Sequence, residues 1–321
     1  MTQQNLQPIT RELIGALRQT GAQVQENEPM SLHTSFQIGG PADVFATVSD
    51  ERSLRGVLKL CKEAGAPVYV TGNGSDLLIP DQGLRGVVVS FGGDLCRLRL
   101  ENETTIVCGP GATLAKLCKF ALENSLTGLE FAWGIPGSAG GAAYMNAGAY
   151  GGEMKDVLIK CRHLDENGNP GEFAGSALDF SYRHSAYTDQ KLVITGLTFQ
   201  LEKGDYSVIK AQMEDYLGRR KARQPLEYPS AGSVFKRPKG HFAGQLIEEC
   251  GLKGKTVGGA QVSEKHAGFI VNTGGATCKD VQSLVKMIQE TVRREKQVEL
   301  ECEIKLMTYQ KRSLNLWILL L

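Results

Sequence analysis

Apolar positions along the chain recur at two periods, and the switches between them mark its elements. Over residues 1–30, Leu13, Ile14, Leu17 and Val24 are sparse and suggest one amphipathic helix. A short strand follows from Asp43 to Val48. Residues 52–64 then place Leu54, Val57, Leu58 and Cys61 on one helical face, with Gly65 positioned to end the helix. Pro67 to Val70 and Gly86 to Ser90 read as further strands. Thr104 to Cys108 is another, and the turn at Gly109-Pro110-Gly111 opens a helix over about 112–124, with Leu114, Leu117, Cys118, Ala121 and Leu122 on one face. Strands dominate next: Val157 to Leu164, a turn containing Asn167-Gly168 that signals a hairpin, and Leu192 to Leu201. A long helix from Tyr206 to Arg223 stops ahead of Pro225. Beyond it the alternation resumes, with a strand at Ser233-Val234-Phe235, a helix from Ala243 to Cys250 and a strand from Gly268 to Val271. Thr277 and Asp280 then form a capping box for a helix to about Arg294. The last strand, Val298 to Leu306, is predicted to alternate: Val298, Leu300, Cys302, Ile304 and Leu306 on one face, Glu299, Glu301, Glu303 and Lys305 on the other.

Composition narrows the class without changing this picture. A chain of 321 residues, 41% hydrophobic and 22% charged, is long enough for two domains. Its 36 basic and 35 acidic residues nearly cancel, and Arg219-Arg220-Lys221 is the one dense basic run, which argues against nucleic acid as the main partner. The eight cysteines include no C-x-x-C pair and no His at metal spacing, so reduced thiols and no metal are expected. The polar N-terminus lacks the layout of a signal peptide, and the apolar tail Leu314 to Leu321 is too short to span a bilayer. The expectation is a cytoplasmic protein acting on a small molecule, with a monomer favoured.

Two glycine-bearing loops carry the candidate chemistry. The first, Thr71-Gly72-Asn73-Gly74-Ser75-Asp76, follows a strand, but position 77 is Leu and no amphipathic helix comes next, so a Rossmann fingerprint fails its context. The second, Gly134 to Gly152, holds seven glycines in nineteen positions and no Lys or Arg. Such a run either cradles an anion on bare backbone N–H groups or simply connects strands. Ser138 is placed to start a short helix whose N-terminus would add partial positive charge.

Seven ordered motifs then point to a family. Thr34-Ser35-Phe36-x-Ile38-Gly39-Gly40-Pro41-Ala42, Gly72-x-Gly74-Ser75-x-Leu77-Leu78, Gly134-Ile135-Pro136-Gly137-Ser138-x-Gly140-Gly141-Ala142 and Met145-Asn146-Ala147-Gly148-Ala149-Tyr150-Gly151 are four of them. Tyr182-Arg183-x-Ser185, Ala231-Gly232-Ser233-x-Phe235-Lys236 and Leu300-Glu301-x-Glu303 complete the set. Over about residues 30–306 the chain resembles the UDP-N-acetylenolpyruvoylglucosamine reductases, in the shorter type without an inserted tyrosine loop. The resemblance implies an α+β chain: a two-subdomain FAD-binding fold of the vanillyl-alcohol-oxidase/PCMH type, followed by a smaller α+β substrate-binding domain. The divisions expected are a helical segment 1–30, an FAD domain 31–203 split near 95, a connecting helix 204–224, a substrate domain 225–306 and a tail 307–321.

It further implies FAD as cofactor and NADPH as co-substrate, reducing a UDP-sugar enolpyruvyl ether for peptidoglycan synthesis, and hence a part in cell-wall biogenesis, cell shape and division. The cofactor contacts implied are Gly72, Asn73, Gly74, Ser75, Asp76, Pro136, Gly137, Ser138, Gly140, Gly141, Asn146, Ala147 and Gly148. Asp76 departs from the family's common Asn, and a carboxylate beside a pyrophosphate is repulsive unless it turns away or is hydrogen-bonded. Hydride addition places negative charge on the substrate, which calls for a cation and an acid nearby. Arg183, by itself readable as a surface arginine, matches the carboxylate clamp. Ser233 resembles the proton donor. Glu303 is singled out by the motif alone, because periodicity puts it with Glu299 and Glu301 on a solvated face. Lys236 and Arg237 are candidates for the UDP phosphates, with Tyr182, Gln261 and His266 as further substrate contacts. The competing enzyme class is an FAD oxidase of the same fold acting on an alcohol or hydroxy acid. Many such enzymes attach flavin through a His in the first loop, which residues 71–80 lack.

Overall fold

A computed structural model describes residues 9–188, 190–307 and the backbone of 317–319. The first layer is a sheet in the order Gln23–Pro29, Pro41–Val48, Leu84–Phe91, Val68–Val70, Trp317–Leu319, antiparallel at the first pair and parallel thereafter. Helices α1 (Arg11–Gln19) and α2 (Glu51–Glu63) cover one face, where Leu13, Leu17, Leu54, Val57 and Leu58 pack on Val44, Ala46, Val87 and Val89. The alternate residues Phe45 and Val88 point to the opposite face and join Met30, Leu77, Ile79 and Met307. Burying each such side chain contributes roughly 1.5–3 kcal/mol, which fixes the register of a two-faced sheet.

Two sequence expectations are corrected here. The N-terminal segment is not one helix: α1 is nine residues long, and Gln23–Pro29 is an edge strand with Val24 opposite Ala46. Its polar sequence gives no strand periodicity, because only one strand pairs with it and both faces are largely wet. Residues 1–8, most of the apolar tail and the side chains of 317–319 lie outside the described residues.

The second layer is an antiparallel sheet in the order Pro170–Ala174, Leu158–Leu164, Val193–Gln200, Thr105–Cys108, Leu98–Leu100. Its first two strands are the predicted hairpin, with Leu164 opposite Pro170. Helix α3 (Leu114–Glu123) packs Leu114, Leu117, Cys118 and Ala121 into its core beside α4 (Ala139–Tyr144). Helix α5 (Tyr206–Arg223), as predicted, leads to the third layer.

There the strands Ser230–Ser233, Phe269–Asn272, Ala260–Val262 and Thr256–Val257 form an antiparallel sheet against α6 (Ala243–Glu249) and α7 (Cys278–Lys296). Thr277 and Asp280 make the predicted capping box. The core of this layer includes Phe36, Ile38 and Leu78 from the first, so the two share one apolar cluster.

The segment after α7 is the second correction. It is not a continuous strand but changes partner midway. Lys236 N–H donates to Glu301 O and Glu303 N–H to Val234 O, both in the third layer; then Lys305 N–H donates to Asp76 O and Met307 N–H to Leu78 O, in the first. Switching partners breaks the alternation, so Glu303 is buried while Glu299 and Glu301 are exposed. No helix among the described residues is long and apolar enough to cross a membrane.

Candidate active site

The loop after Val68–Val70 forms the first wall. Gly74 takes φ +60°, and a Cβ there would lie 2.1 Å from the carbonyl oxygen of His33. Only glycine lets the loop press so close. The N–H groups of Gly72, Asn73, Gly74 and Ser75 donate to no acceptor among the described residues. Four unpaired donors on one short loop suit an anion.

The second wall runs from Gly134 to Gly148, and a Cβ on Gly137 would lie 3.6 Å from Ser75 Oγ, so the two glycine loops meet. Ser138 does cap α4, its Oγ accepting from Gly141 N–H at 3.2 Å. The other early amides of that helix are also taken: Ala139 N–H donates to Ala112 O and Gly140 N–H to Pro110 O. Gly140 fits there because a Cβ would lie 2.8 Å from Pro110 Cβ. The helix terminus expected to face an anion therefore serves packing, and Gly140 and Gly141 offer no free N–H. Asn146 is likewise buried and satisfied, bonding Glu153, Ser181 O and Lys155 N–H. Its bond to Ser181 holds the turn that carries Arg183.

That turn is a two-residue hairpin in which Ser181 and His184 exchange hydrogen bonds at 3.2 Å. Arg183 occupies it with φ +56°, its guanidinium 5.2 Å from the Tyr182 ring and its Nε donating to Glu303 Oε1 at 2.6 Å. Burial raises the Glu303 carboxyl above the usual range, while Arg183 first, then Lys236 and Lys305, pull it down. Ser233 ends the strand Ser230–Ser233 beside Gly232, and its Oγ has no hydrogen-bond partner among the described residues.

Two cavities open on these residues. One, of about 460 Å³, is walled by Ser75, Asp76, Pro136, Ala147 and Gly148. The other, of about 380 Å³, is walled by Tyr182, Phe235, Arg237, Phe242 and Lys265. Arg183, Ser233, His266 and Glu303 border both. His266 Nδ1 accepts from Gly268 N–H at 3.0 Å, leaving the proton on Nε2, and burial keeps the ring neutral by lowering its pKa. Of the remaining candidates, Arg237 lies 3.9 Å from the Phe242 ring centroid, and its N–H donates to Tyr182 Oη. Lys236 is turned aside into an ion pair with Glu301. Gln261 is placed outside both cavities, its amide donating to Gly254 O and Thr256 Oγ1.

The sequence reading missed Arg219, Arg220 and Arg223 of α5, which line the larger cavity. Arg220 is 7% exposed, with Nη1 bonded to Gln224 and the cation 5.6 Å from the Tyr150 ring centroid. Its Nε and Nη2, together with Asp76 Oδ2, are the buried side-chain polar atoms without a partner among the described residues, and both residues line this cavity. A buried cation with two unmet donors, in a cavity also lined by Ser75 of the loop with free amides, fits a large polar anionic ligand such as FAD. The signal for Arg220 and Arg223 was the basic run at the end of α5, close to helical spacing. Among the described residues no group of three His, Cys, Asp or Glu side chains converges to hold a metal. The eight thiols are all free, and burial pushes Cys61, Cys118 and Cys278 up to about 12.

Known proteins resemble this chain in sequence and fold. The family model described as UDP-N-acetylenolpyruvoylglucosamine reductase, C-terminal domain, matches residues 224–307, and that of an FAD binding domain matches residues 42–172. A UDP-N-acetylenolpyruvoylglucosamine reductase of Caldanaerobacter subterraneus subsp. tengcongensis is 48% identical over 280 residues, 87% of this chain and 92% of its own. One from Listeria innocua is 47% identical over 90% of this chain and 96% of its own. The crystal structure of UDP-N-acetylenolpyruvylglucosamine reductase from Thermus caldophilus superposes with a TM-score of 0.78 at 34% identity, covering 89% of this chain and 99% of that one. The expected fold, a two-subdomain FAD-binding unit followed by a smaller α+β domain, stands on these matches. The chain belongs to the UDP-N-acetylenolpyruvoylglucosamine reductase family.

Proposed function

We propose that this chain is a cytoplasmic, NADPH-dependent flavoenzyme that reduces UDP-N-acetylglucosamine enolpyruvate to UDP-N-acetylmuramate for peptidoglycan. The observation that carries the reading is the shared border: a cavity suited to FAD and a second cavity meet at Arg183, Ser233, His266 and Glu303. FAD held there supplies the hydride relay between NADPH and substrate. Residues 31–203 form the cofactor-holding part, residues 204–224 connect, and residues 225–306 close the substrate side.

The free amides of Gly72 to Ser75 receive the pyrophosphate, with Pro136, Gly137, Ala147 and Gly148 as the opposite wall. Arg220 offers its two unmet donors to a polar edge of the cofactor. On the other side, Arg237 and Tyr182 face the UDP group, while Lys236 reaches it only by leaving Glu301.

Arg183 clamps the substrate carboxylate, where negative charge builds during reduction, and Glu303 fixes the guanidinium from behind. Ser233 holds the proton for carbon 2. Its hydroxyl has no partner among the described residues, and the Arg183 cation, which borders the same cavities, stabilises the alkoxide left after transfer. Glu303 borders the same two cavities and acts on the reaction as the carboxylate that orients and balances Arg183.

Anaerobic spectroscopy tests the assignment. The purified protein, loaded with FAD, is expected to be yellow, to bleach with NADPH and to recover its colour when the enolpyruvyl ether is added. A protein that takes up no FAD, or is reduced by NADPH but not reoxidised by this substrate, contradicts it.

A further inference from the structure

Asp76 stands apart from every other carboxylate among the described residues. It is 7% exposed, lines the larger cavity, and its Oδ2 has no hydrogen-bond partner among the described residues. Its backbone carbonyl accepts from Lys305 N–H at 2.8 Å, two residues beyond Glu303, and Asp76 and Glu303 both line the larger cavity. Two buried acidic residues thus border one cavity. They do not share it equally, because Glu303 has the 2.6 Å bond from Arg183 and Asp76 has no such partner.

The charged groups around Asp76 come from three sides: Glu303 and Lys305 on the last segment, Arg183 on the hairpin turn, and Arg219, Arg220 and Arg223 across the cavity on α5. His266, also on the cavity wall, is held below the usual imidazole range by burial. Burial acts most strongly on Asp76 and pushes its carboxyl well above the ordinary range; Glu303 pushes the same way, while Lys305 and Arg183 oppose. Like charges so placed ionise one at a time, and the proton stays on the member without a cation partner.

We propose that Asp76 is a cofactor-positioning residue that works as a neutral carboxylic acid, donating a hydrogen bond from Oδ2 to an oxygen of the bound flavin cofactor. The proposal rests on the FAD reading above. It resolves how a carboxyl beside a pyrophosphate site avoids repelling it: the group is an uncharged donor, with Glu303 as the charged member of the pair. Ionisation at high pH removes the donor and places a negative charge against the cofactor, so FAD affinity falls as pH rises through the Asp76 titration. Asparagine has the same shape and an N–H donor, and it does not titrate.

Two measurements test this on the full chain and its Asp76→Asn variant. Infrared difference spectra of the two proteins at neutral pH are expected to show the carbonyl band of a protonated carboxylic acid in the parent, lost in the variant. FAD dissociation constants, followed by flavin fluorescence from about pH 6 to about pH 10, are expected to weaken about tenfold or more in the parent and to stay level in the variant. Absence of the acid band, or the same pH dependence in both proteins, overturns the proposal. Failure of both proteins to bind FAD at any pH removes the cofactor reading and this inference with it.

Discussion

Arg183 holds a backbone conformation that few side chains adopt, at φ +56°, and it does so at the border of both cavities. Such a residue persists only where its surroundings over-determine it. Here they do: the Ser181–His184 bonds close the turn, Asn146 anchors Ser181, and Glu303 receives Nε. Lysine at this position keeps the charge but has no Nε donor and no planar fork. Losing one charge-assisted bond of about 1.5–3 kcal/mol predicts that Arg183→Lys slows substrate-driven recovery of flavin colour roughly tenfold to a hundredfold. Bleaching by NADPH should change far less. Rapid-mixing absorbance of each half-reaction checks the difference.

At the scale of elements, what the sequence made legible was local. The capping box at Thr277 and Asp280, the hairpin at Asn167-Gly168 and the limits of α5 depend on neighbouring residues, and all three stand where they were expected. Glu303 was not legible from periodicity, since its burial comes from a segment that pairs first with Val234 and then with Asp76. The motif, not the alternation, set it apart from Glu299 and Glu301. Arg220 was hidden for a related reason: helical spacing marks a face, but not the cavity that face will border. Glycines show the same divide. Gly65 and Gly74 both have positive φ, +63° and +60°, yet a Cβ on Gly65 meets nothing within 4 Å, whereas on Gly74 it meets the His33 carbonyl. Alanine at either is expected to cost more than about 1 kcal/mol of stability in denaturant titrations, because both backbones disfavour a side chain. Only Gly74→Ala should also lose FAD, since its loop must shift away from the second wall. Equal FAD retention in the two variants would mean that the Gly72–Asp76 loop is not a cofactor wall.

On the scale of the whole molecule, three layers converge so that each contributes a different part of one site. The first two supply facing glycine loops, α5 adds the buried Arg220 from the side, and the third brings Ser233 and His266 to the border. Contacts across the layers hold this arrangement: Asp81 accepts from the first two N–H groups of α7, Asn272 donates to Phe36 O, and Ser35 donates to Ser230 O. Each is a bond between a side chain on one layer and backbone on another, which fixes the distance between the two cavities without a continuous sheet. Under the proposed function, Ser233 serves the substrate half of this divided site alone. Stopped-flow absorbance of Ser233→Ala, holding FAD, tests it most directly. The account predicts near-normal bleaching by NADPH and recovery on the enolpyruvyl substrate slowed by about a hundredfold or more; equal slowing of the two half-reactions would contradict it.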